Sequence, residues 1–244
     1  MHRGPDRKLH LGVMAKHWTS GRVKTRLGAT IGMRQAAEVH RAFCHHLAGR
    51  LATTADQRSF VVSPPERQAD FRASLPQDWQ IEIQSDGDLG CRMMAWFSAD
   101  CGGDCGGDGQ VDRVLIGADC PLLDGSVIRQ TGELLGSHDV VLGPAIDGGY
   151  YLIALRGPWR AAYQRLMEQM PWSGASVFRL TCRRAEEAGL RLATLATMED
   201  VDTIKELEQL MIRLEQCSSD ADCRTLRRSI EQAISQPGRE RGEE

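Results

Sequence analysis

No stretch of the sequence reaches the roughly 18 uninterrupted apolar residues that a membrane-crossing helix requires, so no membrane span is expected. The opening "MHRGPDRKLH" carries charge but no apolar run behind it; no secretory signal is read there, and a cytoplasmic location is the expectation. An excess of one charge is missing too. Lys and Arg total 30 against 33 Asp and Glu, a net charge of −3. Without the broad basic field of nucleic-acid binders, no nucleic-acid partner is expected. Two phosphate-binding signatures are also lacking: the G-x-x-x-x-G-K-[ST] loop of P-loop ATPases and the G-x-G-x-x-G fingerprint of dinucleotide folds. Cysteine, by contrast, is present eight times. Cys44, Cys91 and Cys182 fall in helical patterns and Cys120 follows an apolar strand, a scatter that fits reduced thiols better than a disulfide framework. Neither Cys101/Cys105 nor Cys217/Cys223 has a usual zinc-knuckle spacing, and "CGGDCGGDG" reads as an insertion with a duplicated CGGD unit.

What is present is an alternation. The 244 residues, 41% hydrophobic and 26% charged, suit a soluble globular chain with a substantial core. Apolar runs at Leu9–Ala15, Ser59–Val62, Trp79–Gln84, Arg113–Asp119, Asp139–Ala145, Gly148–Arg156 and Leu190–Thr197 read as strands. Helical patterns lie between them, near Met33–Leu51, from Asp88, near Ser126–Leu135, Trp159–Met170 and Ala175–Ala188, and from Thr203 to Cys217. This order predicts one α/β domain of three α/β/α layers around a mostly parallel, doubly wound sheet. Ligands of such sheets bind at the carboxyl ends of the strands, so the residues at those ends are the candidates.

The first strand delivers Lys16, Gly21, Arg22, Lys24 and Arg26. A glycine-containing loop between strand and helix presents N–H groups to phosphate, and the cations neutralise it; a solvated basic turn is the plainer reading. Asp119 closes a buried apolar run, where a carboxylate can hold Mg2+ or Mn2+ or can cap the next helix. Asp147 precedes Gly148–Gly149, which is either a pocket floor or a hairpin turn. Asp200 and Asp202 stand between a strand and a helix; one can cap the helix while the other joins Asp119 on a cation. Trp159 and Trp172 sit at a spacing that favours core over an acceptor cleft. The helix from Thr203, with Ile204, Leu207, Leu210 and Met211 on one face, can pack on its own sheet or on a second subunit, which keeps a homodimer open.

Taken in order, "AKHWTSGRVKTRLG", "GDLGCRM", "IGADCPLL", "LGPAIDGGYYLI", "PWS" and "DVDT" resemble a bacterial family of the nucleotide-diphospho-sugar transferase, or glycosyltransferase-A, fold. More distantly the chain is similar to 2-phospholactate guanylyltransferases. The resemblance spans roughly Leu9 to Leu210; a domain over residues 8–217 with the insertion at 100–110 is expected, and the polarity of 218–244 marks it as a flexible tail. The resemblance implies that Lys16, Gly21, Lys24 and Arg26 clasp nucleotide phosphates, with Arg22 added by its place in the same basic loop, and that Asp88 and Gly90, in Gly87–Gly90, lie against the nucleobase. It makes Asp119 a catalytic metal ligand, with Asp200 and Asp202 near the same Mg2+ or Mn2+, and puts Asp147 where a catalytic carboxylate acts on the acceptor. The sequence departs from the family at His17–Trp18, often a proline-containing loop, and at Cys91, where an acidic residue is expected. The implied function is glycosyl transfer from a nucleotide-sugar to a small-molecule acceptor. Nucleotidyl transfer with release of pyrophosphate is the alternative, and a nucleotide-binding protein without catalysis is the second.

Overall fold

The computed structural model describes residues 7–99, 111–172 and 174–235. The 100–110 insertion, with Cys101 and Cys105, lies outside the described residues, as does Ser173 of the "PWS" motif. Strand β1 (Lys8–Lys16) buries Leu9, Leu11, Val13 and Ala15 on one face and sits in the middle of the sheet. It is flanked on one side by β2 (Gln57–Ser63) and β3 (Gln80–Ile83) and on the other by β4 (Val111–Gly117). Beyond β4 come β6 (Tyr150–Leu155), β5 (Val140–Pro144) and β7 (Leu192–Thr194), giving the order β3-β2-β1-β4-β6-β5-β7. Every neighbour is parallel except β6, which runs antiparallel to both β4 and β5. The expected mostly parallel, doubly wound sheet is therefore found.

Its reversed strand comes from a tight turn: the Ala145 N–H donates to the Gly149 carbonyl at 3.0 Å and the Gly148 N–H to the Ala145 carbonyl at 3.2 Å. The "DGG" stretch is thus a hairpin turn. It carries the β5–β6 pair back through the sheet while keeping Asp147 at the carboxyl end of β5.

Helices cover both faces. On one, α2 (Met33–Arg50), α3 (Gln68–Ser74) and α5 (Gly125–Leu135) pack a core that includes Leu47, Phe71 and Ile128. On the other, α4 (Leu89–Ser98), α6 (Ala161–Gln164) and α7 (Val177–Glu187) enclose Trp96, Tyr163 and Ala185, with Trp159 and Trp172 partly buried against them, in keeping with the core reading. A third cluster joins α1 (Thr25–Ile31) and α2 to α8 (Ile204–Gln216) and α9 (Ala221–Ser235). The Leu207/Leu210 stripe of α8 is filled there by α1, α2 and α9 of the same chain rather than by the sheet.

Three boundaries differ from expectation. Residues 221–235, placed in a flexible tail by their polarity, form α9, because Cys223, Leu226, Ile230 and Ala233 recur every three or four residues and are buried. The helix expected over 159–170 is only α6, followed by turns; Gln169 has a left-handed backbone (φ 47°) just ahead of Met170–Pro171, which ends helical geometry. The last strand is paired over three residues only. The six described cysteines are all free thiols, Cys217 and Cys223 included. Among the described residues, no helix is long and apolar enough to cross a membrane.

Candidate functional site

The carboxyl ends of β1, β2 and β3 form a cleft of about 530 Å3. Lys16, at the tip of β1, and Arg22, exposed on the following loop, face it together with Arg67 and Arg92. Gly21 holds the loop in a left-handed bend (φ 74°) with open space around it. Arg67 follows the Pro64–Pro65 turn after β2, and Arg92 stands in the first turn of α4, where its Nε donates to the Gly87 carbonyl at 2.9 Å. Four cations against two carboxylates, Glu66 and Asp86, line the cleft in a chain of net charge −3, a local positive balance that favours an anionic ligand.

The other two cations expected there are engaged elsewhere. Arg26 is exposed beyond the cleft and lies 3.3 Å from the Asp202 carboxylate. Lys24 turns inward. Its backbone is left-handed (φ 49°, ψ 42°) at the position that opens α1, which points the side chain between the loops rather than into the cleft. The ammonium contacts Asp119 Oδ1 at 2.6 Å and donates to the Val201 carbonyl at 2.5 Å.

Asp88 and Gly90 do not border the cleft. Asp88 caps α4 by accepting from the Cys91 N–H at 2.8 Å, and that bond holds its carboxyl below the ordinary range. Gly90 is a close approach: a Cβ there would stand 2.3 Å from the Met167 carbonyl oxygen.

A carboxylate group gathers in the segments that follow β4, β5 and β7, and His40 links it to the β1 end of the cleft. Asp119 sits between loops with half of its side chain open to solvent. Burial alone would raise its carboxyl; Lys24, helped by His40, outweighs that and holds it below the ordinary carboxylate value. The Val201 N–H donates to the Asp119 carbonyl at 3.0 Å, tying the segment that carries Asp200 to the end of β4. Asp200 is pushed up, first by burial and then by repulsion from Asp147 and Asp119. Asp147 is exposed on the hairpin turn, where it accepts from the Gly149 N–H at 2.8 Å. All three carboxylates act on the buried Cys120 thiol, which burial pushes up and keeps un-ionised. Asp119, Asp147 and Asp200 therefore share one neighbourhood, while Asp202 is turned to Arg26.

Among the described residues, no group of three or more His, Cys, Asp or Glu side chains is drawn together tightly enough to hold a metal outright. The donor chemistry nonetheless suits a hard divalent cation, because Asp200 is repelled by both Asp147 and Asp119 while the ammonium of Lys24 is spent on Asp119. Asp119 and Asp200, with Asp147 beside them, are the side chains that could hold such an ion.

His40, Arg67 and Arg92 escape sequence reasoning. His40 lies on α2 with its Nε2 3.0 Å from the Lys16 carbonyl and its Nδ1 3.7 Å from Asp119 Oδ1. Burial keeps its pKa below the usual histidine value despite the pull of Asp119. Nothing in the run "AAEVHRAF" marks it, and nothing marks Arg92 in the first turn of α4, whereas Arg67, four residues past the end of β2, was a readable signal.

A family described as "Uncharacterized protein conserved in bacteria" (DUF2064) matches residues 47–174, just over half of the chain. Among solved structures, a protein of Desulfovibrio desulfuricans G20, provisionally described as a nucleotide-diphospho-sugar transferase, is 28% identical, covers 93% of this chain and 98% of its own, and superposes with a TM-score of 0.80. CMP:2-keto-3-deoxy-manno-octonic acid synthetase, solved with CTP, is 14% identical over 86% of this chain and 99% of its own, with a TM-score of 0.55. A nucleotidyl transferase from Methanothermobacter thermautotroptrophicus is 16% identical over 87% and 99%, with a TM-score of 0.52. These last two share the fold. No curated protein matches the chain.

Proposed function

The chain belongs to the DUF2064 family, and on that premise we propose that it is a transferase that binds a nucleotide-diphospho-sugar and passes the sugar to a small-molecule acceptor. The observation that carries this reading is that a cleft lined by Lys16, Arg22, Arg67 and Arg92 is joined at its β1 end, through His40, to Asp119 of the Asp119/Asp147/Asp200 group. Similarity to the Desulfovibrio protein supports the sugar-nucleotide donor.

In this reading Lys16 and Arg22 bind the diphosphate and orient it with its sugar towards the carboxylates. Asp119 and Asp200 would hold Mg2+ or Mn2+, whose chemistry is to neutralise charge that develops on phosphate oxygens. The acceptor hydroxyl oxygen bonds to the anomeric carbon as the bond from that carbon to the diphosphate breaks. Its proton passes to the Asp147 carboxylate, which the hairpin turn keeps exposed. The diphosphate leaves with the bonding electron pair into the basic cleft.

A thermal-shift comparison of nucleotide-sugars and nucleoside triphosphates, each with and without Mg2+ or Mn2+, tests the proposal. A ligand at about 100 times its dissociation constant adds roughly 2.7 kcal/mol of stability. Metal-dependent stabilisation by a nucleotide-sugar is expected, and Asp119→Asn should abolish the dependence on metal. A second reading, nucleotidyl transfer, is favoured by the likeness of fold to a synthetase solved with CTP. It takes first place if triphosphates alone stabilise the protein and pyrophosphate is released from one of them. No response to any nucleotide removes both readings in favour of a protein that has kept the fold without the chemistry.

A further inference from the structure

Lys24 is one of only four lysines in the chain, with Lys8, Lys16 and Lys205, against 26 arginines. Its side chain is 3% exposed, while that of its partner Asp119 is 50% exposed. The carboxylate therefore has two sides: one faces the solvent from which a metal ion would arrive, and the other is held by an ammonium from within the protein. A divalent cation approaching from the open side meets an oxygen whose charge is already balanced 2.6 Å away.

The ammonium is fixed by more than this one contact. It also donates to the carbonyl of Val201, between Asp200 and Asp202, and so links the phosphate-binding loop to the segment bearing a second carboxylate of the site. Its left-handed backbone is uncommon for a residue other than glycine, and it aims the side chain inward. A guanidinium, with its planar fork, would not replace this compact group between Oδ1 and a backbone carbonyl.

His40 supplies a second observation around the same oxygen. It is 3% exposed, and its Nε2 bonds the Lys16 carbonyl, which assigns the proton to Nε2. Its Nδ1, 3.7 Å from Asp119 Oδ1, is left buried without a hydrogen-bond partner. An unprotonated ring nitrogen cannot donate to the carboxylate, so the direct hydrogen bond to this oxygen comes from Lys24.

We propose that Lys24 is a tethered counter-ion of Asp119, displaced when a divalent cation binds, so that the site takes up metal by exchanging one cation for another. The proposal rests on the metal-dependent reading above and assigns Lys24 a role distinct from holding phosphate. It implies that the site resists metal until the ammonium moves, and that Lys24 sets how tightly metal is held in the absence of nucleotide.

Mn2+ binding followed by the electron paramagnetic resonance of the free ion provides the test, in the full-length wild type and in Lys24→Met, Lys24→Ala and Asp119→Asn. Removal of the competing ammonium should tighten Mn2+ binding by about tenfold or more, and Asp119→Asn should lose it. In parallel, wild-type lysines are acylated with and without saturating Mn2+ and mapped by mass spectrometry. Lys24 should be shielded without the ion and labelled with it, while Lys8 and Lys205 stay constant. This second arm uses the unaltered protein and decides the matter if the Lys24 variants fail to fold. Unchanged or weaker Mn2+ binding in folded Lys24 variants, or a Lys24 still shielded at saturating Mn2+ whose binding depends on Asp119, overturns the exchange and leaves the metal reading standing. Absence of Mn2+ binding in every form removes the metal reading and the exchange with it.

Discussion

Gly148→Ala is expected to cost far more than an ordinary surface substitution, and the cost can be divided into two parts. Gly148 has φ 91°, a conformation that strains any side-chain-bearing residue, at about 1–2 kcal/mol. A Cβ at this position would also come within 2.1 Å of the Ala175 carbonyl oxygen, a backbone atom that cannot swing aside. Forcing such a contact typically costs about 1–3 kcal/mol. The sum, about 2–5 kcal/mol, corresponds to a fall in melting temperature of about 4–20 °C for a chain of this size. Gly189→Ala separates the two parts, because Gly189 has φ 67° with nothing within 4 Å of an added Cβ; it should lose only the strain. The assay is calorimetric melting of both variants beside the wild type. Gly148→Ala should also weaken whatever depends on Asp147, since the Phe178 N–H holds this turn through the Gly148 carbonyl at 2.9 Å. Equal losses in the two variants would refute the reasoning, for then the approach to Ala175 has no energetic consequence.

Other expectations concern acid stability, ligand binding and the last helix. Burial, and after it Arg113, lowers the His10 pKa from 6.5 to about 4, and His46 is lowered to about 4 by burial and then by Arg50. Both are neutral in the fold and take up a proton more readily when unfolded. Their contribution is therefore complete above pH 6.5 and lost as the pH falls towards 4. Each is worth at most roughly 3 kcal/mol over that range; urea midpoints should fall from pH 6.5 to 4, less steeply in His10→Gln, and a flat profile would contradict the burial argument. Arg22→Ala should weaken binding of the stabilising nucleotide by about 10–100-fold, the value of a charge-assisted hydrogen bond, and should lessen its salt dependence in calorimetric titration. Ending the chain after Gln216 removes α9 and uncovers the partners of Leu226 and Ile230. The loss is about 5 kcal/mol, enough to show as aggregation or loss of the cooperative melt.

The strands were legible because β1 and β4 are nearly continuous apolar runs, and a run that ends in Asp119 marks a strand tip without any knowledge of packing. The reversal of β6 was harder to read, since "LGPAIDGGYYLI" has the composition of either a pocket floor or a hairpin, and only pairing with β4 and β5 decides. The tail concealed α9 because two of its four buried positions are Cys and Ala, weakly apolar residues among many charges. Within the site, the tips bearing Asp119, Asp147 and Asp200 could be anticipated from strand ends. The burial of Lys24 could not: it stands in "GRVKTRLG" among cations that stay exposed, and only the left-handed turn ahead of α1 distinguishes it. The partnership of Asp202 with Arg26 spans 176 residues and has no local signature.

The seating of α9 on α2 also has a consequence in time. The Arg50 guanidinium that ends α2 meets Asp220 at the start of α9 across 170 residues of chain. At a synthesis rate of about 5–20 residues per second, those residues take roughly 10–30 s to appear. Throughout that interval Val39 and Phe43 on α2 lack the helix that will cover them. A nascent chain in this state shows a greasy stripe to the ribosome's surroundings, and a chaperone that binds such stripes gains its opportunity there, before the last helix docks and withdraws it.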